Sequence, residues 1–474
     1  MSWQSVFAAM LPEHILLLGI VLLLVLEIAS DRPRGALAAS LVIVGAATAA
    51  AAWLHFIGFS ANPFPGHYSV NPQGLLAKAV VLALAVPVLL LARDDFDEGP
   101  FYPLFLSSLY GFCLLLSSDS FLTLFLGLEL MSLPVYVLVL LAFGRPESPE
   151  AALKYLVLGG TATAMFLMGV SLLYGGSATL ALSSFAAALG SRDIMATAAV
   201  VLIVVAFFLK AAIVPFHAWA PDAYEGASVP VTAYMATIIK AGVLLAALRL
   251  FGTSPVSGSM VDFLAILPLV SIVWGNLAAM RQQSFRRMIA YSSIAHAGYL
   301  FYAFLGDGPG RFQAVVFYLL AYGLMNVLAF ASIPPGDDDA TRDRLDTLRG
   351  LFHRDPYAAV MIGIAMLSLA GIPPFPGFVA KFLIFKNVIA AGYTTYAVLG
   401  LVGSYLGIYF YLRVIQMMFM SPEAAGATRV SPGRAALAAS VICPSRRSRS
   451  PCSPTGSSSG SDERTSEATR GLPL

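Results

Sequence analysis

The chain has 474 residues, of which 58% are hydrophobic and 11% charged, and its mean hydropathy is +0.80. A soluble protein of this length would carry about 25% charged residues, so a soluble globular fold is excluded. The net charge of +2 and the scattered arginines give no nucleic-acid signature, and the three cysteines form no metal or iron–sulfur spacing.

Apolar runs of about 20 residues recur along the chain, and as helices they would cross the ~30 Å hydrocarbon core of a bilayer. The ~10-residue alternating strands of a membrane β-barrel are not found in the sequence. We therefore predict an all-α polytopic membrane protein with 13–14 transmembrane helices, the last beginning at Ala435. The first thirteen predicted spans are 11–29, 35–58, 72–92, 101–117, 119–143, 150–174, 195–219, 228–251, 260–280, 286–306, 312–332, 357–391 and 395–420.

The arginines between the spans indicate the orientation of the chain. Thirteen arginines lie in loops after odd-numbered spans, whereas three, Arg192, Arg249 and Arg311, lie in loops after even-numbered spans. Because loops rich in lysine and arginine stay on the cytoplasmic side, this bias predicts an N-terminus on the outer, periplasmic side.

The seventh and twelfth predicted spans contain sequences that interrupt a helix. In 195–219, Pro215 would clash with the carbonyl of Ala211, and 357–391 contains the run GIPPFPG at 371–377. The run IVPF at 213–216 resembles IPPF at 372–375, five spans later. Since an odd period inverts successive units, we predict two inverted five-helix repeats with broken seventh and twelfth helices, as in many transporters.

This pattern predicts four regions along the chain. Residues 1–100 hold the first three spans, 101–251 the first antiporter-like repeat (helices 4–8) and 260–420 the second, inverted repeat (helices 9–13). Residues 421–474 hold an incomplete last helix, which ends near Cys443, and a tail rich in Ser, Arg and Pro. That composition is typical of disorder, and we interpret the tail as the product of a frameshift or a truncation.

All six lysines lie inside apolar segments, whereas the loops contain only arginine. An ammonium at mid-bilayer costs roughly 2.5–3.5 kcal/mol, so ionisable groups kept there usually serve transport. Lysine can lose its proton when desolvated, and a carboxylate beside it would switch its proton affinity. The candidate residues are Glu129, Lys154, Lys210, Lys240, His296 and Lys381, with His217 and Lys78 as possible relay residues.

Each candidate also has a structural explanation. Glu129 could be hydrogen-bonded for packing, and Lys210 could cap the carbonyls that the break frees. Lys154 lies near the inner end of its span, from which its amine could reach the interface. A lone buried histidine such as His296 is more often a satisfied core residue, but here it accompanies a series of buried titratable groups.

Four stretches of the chain resemble one family. The run FFLKAAIVPFHAWAPDAYEGA at 207–227 is similar to the signature of the antiporter-like membrane subunits of respiratory complex I, and 127–136, 291–299 and 371–381 resemble it too. The resemblance covers about residues 10–430. It implies fourteen helices in two inverted repeats, a proton path along the middle of the membrane, and functional roles for the six main candidates.

The resemblance also implies a function. It indicates a proton-translocating subunit of NADH:quinone oxidoreductase in a bacterial inner membrane, beside neighbouring membrane subunits and lipid. This chain would bind no cofactor, whereas other subunits would use NADH, FMN, iron–sulfur clusters and quinone. We expect protons to move by coupled pKa shifts along the glutamate, lysine and histidine residues. A subunit of an Mrp-type cation/proton antiporter or membrane hydrogenase, and a passive membrane scaffold, stay open as alternatives.

Overall fold

The computed structural model describes residues 3–29, 35–96, 100–142, 145–252, 256, 259–306, 309–334 and 344–422. In these ranges the chain is almost entirely helical, and ten helices are long and apolar enough to cross a membrane. The predicted fourteenth span and the tail after residue 422 lie outside the described residues. So do five arginines used for the orientation, Arg32, Arg34, Arg342, Arg429 and Arg434.

The helices follow the predicted spans along the chain. In order they are α1 (Trp3–Ala9), α2 (Leu11–Ala29), α3 (Ala36–Phe56), α4 (Pro72–Leu91), α5 (Phe101–Ser117), α6 (Phe121–Leu140), α7 (Ser148–Ser177), α8 (Ser183–Leu189), α9 (Ile194–Ala211), α10 (Trp219–Gly226), α11 (Val229–Phe251), α12 (Ser259–Ala279), α13 (Phe285–Tyr302), α14 (Pro309–Ala331), α15 (Leu351–Arg354), α16 (Pro356–Ala370), α17 (Pro376–Ala390) and α18 (Thr394–Met420). Short 3₁₀ helices cover Ala92–Asp94 and Leu345–Leu348.

Each of the first thirteen predicted spans has a helix in its place, but the sequence missed two local features. An antiparallel hairpin of β1 (Ala61–Phe64) and β2 (Tyr68–Val70) joins α3 to α4. A π-helical turn, Met235–Ile239, interrupts α11. The predicted boundaries are otherwise off by a few residues, because caps such as Ser120, whose hydroxyl accepts the Thr123 amide, fix where a helix begins.

Both predicted breaks are confirmed, and they share one geometry. Ala212 after α9 and Gly371 after α16 have left-handed backbone, with φ of 62° and 81°. The amides of Ile213 and Ile372 donate to carbonyls five residues earlier, at 2.8 and 3.1 Å. This is the Schellman ending of a helix, which satisfies carbonyls at its C-terminus. The inverted relation of the two repeats, and the four regions, stay predictions.

The core is one contiguous set of apolar side chains that extends from Leu16 to Met418. At its centre lies α11, whose apolar window is buried along its whole length. By contrast α2, α7 and α18 expose apolar residues, including Leu18, Val157 and Val402. A charged side chain on α11 therefore cannot reach a lipid headgroup and must find its partners inside the protein.

Candidate functional site

The first part of the site is an ion pair between α6 and α9. Lys210 Nζ lies 3.0 Å from Glu129 Oε1, and the lysine side chain is 7% exposed. Thr163 of α7 donates its hydroxyl to the same oxygen at 2.6 Å. At the break, Trp219 donates its indole N–H to the Leu209 carbonyl at 2.9 Å. The predicted pairing of Glu129 with a lysine is confirmed, and this carbonyl is satisfied by Trp219.

Lys240 is the first residue after the π turn of α11 and is buried. Its Nζ donates to the Ser293 carbonyl at 2.5 Å and also contacts the Ser293 hydroxyl. The ring of Tyr322 faces the amine, with its centroid 5.9 Å away. Since π turns are frequent at functional sites, the helix distortion and the buried amine at one point favour a functional role.

Lys381 lies at the second break and is also buried. Its Nζ donates to the carbonyls of Leu369 and Ala370, the last residues of α16, at 3.2 and 3.0 Å. It also donates to Ser404 Oγ at 3.0 Å, and the Tyr299 ring centroid lies 4.8 Å away. The amine thus caps the broken helix, which is the structural role that the sequence suggested for Lys210.

One face of α13 connects the two buried amines of the second half. Ser293, His296 and Tyr299 are spaced by three residues, so they share a stripe on the helix. Ser293 binds Lys240 at one end, and the ring of Tyr299 faces Lys381 at the other. Six residues of helix rise by about 9 Å, and His296 lies midway along α13 between the two residues that contact the amines.

His296 is held by two phenols from other helices. Its Nδ1 lies 2.7 Å from the Tyr318 hydroxyl and its Nε2 3.2 Å from the Tyr411 hydroxyl. A cavity of about 10 Å³ is lined by both His296 and Leu369, whose carbonyl binds Lys381. This volume matches about one water molecule, so His296 and the second break border the same small space.

A second small cavity lies beside Lys210. It also measures about 10 Å³, and its lining includes Lys210 and Ile239, which precedes Lys240 in the sequence. Each of the two cavities could hold about one water molecule beside the polar groups of the site. We call these five residues the buried row: Glu129, Lys210, Lys240, His296 and Lys381.

Lys154 lies in an ion cluster outside the buried row. Its side chain is 44% exposed, and Nζ is 2.7 Å from both Glu150 and Asp222. Arg287 bonds Asp222 and Glu225 at 2.8 Å each. Burial raises the pKa of Asp222, but hydrogen bonds from Lys154 and Arg287 outweigh it and hold that pKa below its usual value. The structure thus places Lys154 at the end of its helix and not at mid-membrane.

The two possible relay residues also lie apart from the row. His217 follows the first break, where its Nε2 accepts the Trp274 indole N–H at 3.1 Å. Lys78 of α4 is fully buried and pairs with Glu13 of α2. Sequence reasoning missed Glu13 as a partner because nothing in the sequence relates positions 65 residues apart.

Several uncharged partners were missed as well. The spacing of Ser293, His296 and Tyr299 was visible in the sequence YSSIAHAGY at 291–299 and could have predicted the stripe. The hydroxyls of Thr163 and Ser404 had no such signal, because they reach the site from helices that are distant in the sequence.

Comparison with known proteins then decides the family. A family described as "NADH:quinone oxidoreductase/Mrp antiporter, TM" matches residues 118–407. The chain belongs to this family. The matched range contains the whole buried row and excludes α2 to α4.

Curated relatives in this family carry the name NADH-quinone oxidoreductase subunit N. One, from Pelobacter propionicus, is 39% identical over 417 residues, which cover 87% of this chain and 89% of that protein. Another, from Chloroflexus aggregans, is 36% identical and covers 82% of this chain and 83% of that protein.

Solved structures agree with this assignment. A chain of respiratory complex I from Thermus thermophilus is 35% identical, with a TM-score of 0.77, and the match covers 91% of this chain and 95% of that one. A chain of the Mrp complex from Dietzia sp. has a TM-score of 0.78 at 24% identity, which shows a shared fold. This protein is therefore a multi-pass membrane protein of the antiporter-like fold.

Proposed function

We propose that this chain is a proton-translocating membrane subunit of an NADH:quinone oxidoreductase and that protons move along the buried row. The observation that carries this proposal is the stripe on α13, which links two buried amines through His296. A scaffold would have no use for several titratable groups inside the membrane, since each costs free energy to bury.

The step that drives transfer is a change of pairing at the first break. When Glu129 and Lys210 are in contact, the carboxylate favours the protonated amine, and separation lowers its proton affinity. Moving one charge against 100 mV costs about 2.3 kcal/mol, and one pKa unit corresponds to about 1.4 kcal/mol. Coupled pKa shifts of about two units along the row are therefore sufficient for transport.

The energy for that change comes from outside this chain. Redox chemistry on other subunits, with NADH, FMN, iron–sulfur clusters and quinone, would change a charge near one end of the row. Neighbouring membrane subunits and lipid would cover the exposed apolar faces of α2, α7 and α18. The arginine bias supports a bacterial inner membrane orientation with the N-terminus outside.

An Mrp-type antiporter or membrane-hydrogenase subunit would share the buried row. The relatives named subunit N, at 39% identity, favour the oxidoreductase over the Mrp complex, whose chain is 24% identical. Passive scaffolding is the third possibility, and one variant separates it from proton transfer.

The test is Lys210→Ala in the assembled complex, reconstituted in vesicles. We expect proton pumping to fall about 100-fold, since a positioned proton-transfer group contributes about 10²–10⁴-fold. Lys386→Ala, which removes an exposed lysine of α17, is the matched control. Pumping and quinone reductase activity are measured after native gels confirm assembly. Unchanged pumping by Lys210→Ala would support the scaffold and contradict the proposal.

A further inference from the structure

A second acid–amine pair lies outside the range that the family match covers. Lys78 Nζ is 2.5 Å from Glu13 Oε1, and both side chains are fully buried. Tyr68 donates its hydroxyl to the same oxygen at 2.7 Å, and Lys78 also donates to Ser117 Oγ at 2.6 Å. Three helices, α2, α4 and α5, and the hairpin thus converge on this ion pair.

The other carboxylate oxygen is the unusual atom. Glu13 Oε2 is buried and has no hydrogen-bond partner among the described residues. A buried ion pair is stable only when its remaining lone pairs are satisfied, so a purely structural pair would be expected to carry a donor here. Glu13 Oε2 is instead the carboxylate atom of this pair that is open to a proton, because Oε1 already accepts from Lys78 and Tyr68.

Glu13 and Lys78 themselves supply the charges at this site. The titratable neighbours on α5 are Cys113 and Tyr110, and His55 of α3 bonds the Pro72 carbonyl at 2.8 Å. Tyr68 lies on β2, where burial and then the Glu13 carboxylate raise the pKa of its phenol. Tyr68 therefore keeps its proton and stays a hydrogen-bond donor to Glu13.

A pocket of about 470 Å³ lies next to the pair on the hairpin side. Its lining includes Ala77 and Leu116, which directly precede Lys78 and Ser117, and Ser69, which follows Tyr68. This wall of the pocket is therefore formed by direct sequence neighbours of three residues in the hydrogen-bond network of the pair.

The pocket has a polar side that faces this wall. Arg249 lines it, donates to the carbonyls of Ser69 and Ser118, and lies 3.9 Å from Asp119. These charged groups favour water in the pocket, which gives the pair a source and an acceptor of protons.

We propose that Glu13 and Lys78 form a second proton-exchange site of this chain, which serves the hairpin face through the pocket. Uptake moves one proton from pocket water to Glu13 Oε2, so the pair changes from neutral to a net charge of +1. Release returns that proton to water and restores the ion pair. This second site is additional to the proton path proposed for the buried row. It rests on that proposed function only because turnover of the complex would drive the exchange.

The test is infrared spectroscopy of the intact complex, stepped between about pH 5 and about pH 10, a range that covers strongly shifted carboxyl groups. We expect a carboxylic-acid carbonyl band that titrates in the wild type and in the control Glu27→Gln, and that is absent in Glu13→Gln. Glu27 lies at the other end of the same helix. Identical titrations in Glu13→Gln and wild type would overturn the proposal.

A double variant protects the test against misfolding. Glu13→Gln with Lys78→Met removes both charges at similar volume, so no buried charge is left alone. We expect pumping in vesicles to fall at least about twofold, a fraction of the effect of a positioned transfer group. Unchanged pumping, in a complex where Lys210→Ala abolishes it, would reject the second site and leave the buried row intact.

Discussion

The two broken helices end in the same way, yet their lysines are held differently. At the first break, Lys210 lies in the last turn of α9 and binds the Glu129 carboxylate. At the second, Lys381 lies beyond the break on α17 and reaches back to two carbonyls and Ser404. Among the described residues, the Lys210 amine contacts a full negative charge, whereas the Lys381 amine is bonded to the dipoles of two carbonyls and a hydroxyl.

This difference assigns different tasks to the two halves. A carboxylate stabilises an ammonium strongly and can withdraw, so the first half is suited to switching. Carbonyl dipoles at a helix C-terminus stabilise a cation more weakly, so the second half holds a proton that can leave easily. The backbone has the same geometry at both breaks. The partner of each lysine, and not the break itself, therefore sets the proton affinity of the amine.

The largest expected effect is that of substituting Lys381, and comparison with Lys210 separates the roles of the two amines. Lys381→Met should reduce pumping about 100-fold, as Lys210→Ala does, because both remove a transfer group. It should also destabilise the chain by about 1–3 kcal/mol, since the Leu369 and Ala370 carbonyls lose their donor. Lys210→Met leaves those carbonyls unaffected.

Thermal unfolding of the purified complex, with pumping measured in parallel, checks this contrast. Lys386→Met is again the control for a lysine change on α17. Equal loss of stability in Lys210→Met and Lys381→Met would show that the two amines have the same structural role.

His296 lies on the stripe of α13 that links Lys240 to Lys381, and its substitution should reduce pumping by less. His296→Phe keeps the ring but removes the atoms that face Tyr318 and Tyr411. We expect pumping to fall about tenfold, below the usual ~10² for a transfer group, because nearby hydroxyls and water offer a slower route. Proton uptake after a single turnover checks this, with the surface substitution His353→Phe as control. A rate equal to that of the wild type would exclude His296 from the path.

The sequence predicted the breaks because proline chemistry is local. Pro215 and the run at 371–377 could not continue a helix, and Glu129 lay deep enough in its span that a cationic partner was expected. Which of six lysines would supply that cation was decided by packing between α6 and α9. Lys154 was indistinguishable from the others by hydropathy, although the structure exposes it.

Other features had no local signal. The hairpin Ala61–Phe64 and Tyr68–Val70 lies in a short polar connection, and the π turn before Lys240 leaves no mark in the sequence. The Glu13–Lys78 contact joins α2 to α4 across 65 residues. Pairings of this kind depend on tertiary structure, so one sequence without its fold cannot give them.

The left-handed residues at the two breaks differ, and this predicts opposite effects on stability. Gly371→Ala should cost about 1–2 kcal/mol, because a Cβ is strained at φ of 81° and would meet the Lys381 side chain at 3.0 Å. Ala212→Gly removes strain that is already present and should stabilise the chain by up to about 1 kcal/mol. Melting temperatures of the two variants test the shared geometry, and a shift of the same sign in both would contradict it.

The smallest expected effect concerns Asp222, the carboxylate that binds the partly exposed Lys154. Because the pKa of Asp222 lies below its usual value of 3.8, its ion pairs stabilise the folded chain above that pH. The contribution is lost as the pH falls through the folded value. Asp222→Asn should therefore lower stability at pH 7 by less than about 1 kcal/mol, and the difference from wild type should shrink as the pH falls below 3.8.

Melting curves at several pH values measure that difference, with Asp346→Asn as a control in an exposed arginine pair. Asp222 and Glu129 each bind a lysine, at 2.7 and 3.0 Å, but the side chain of Lys154 is 44% exposed and that of Lys210 only 7%. If Asp222→Asn lowered pumping as strongly as Lys210→Ala, then contact with a lysine, and not burial of the pair, would determine which carboxylate controls the path.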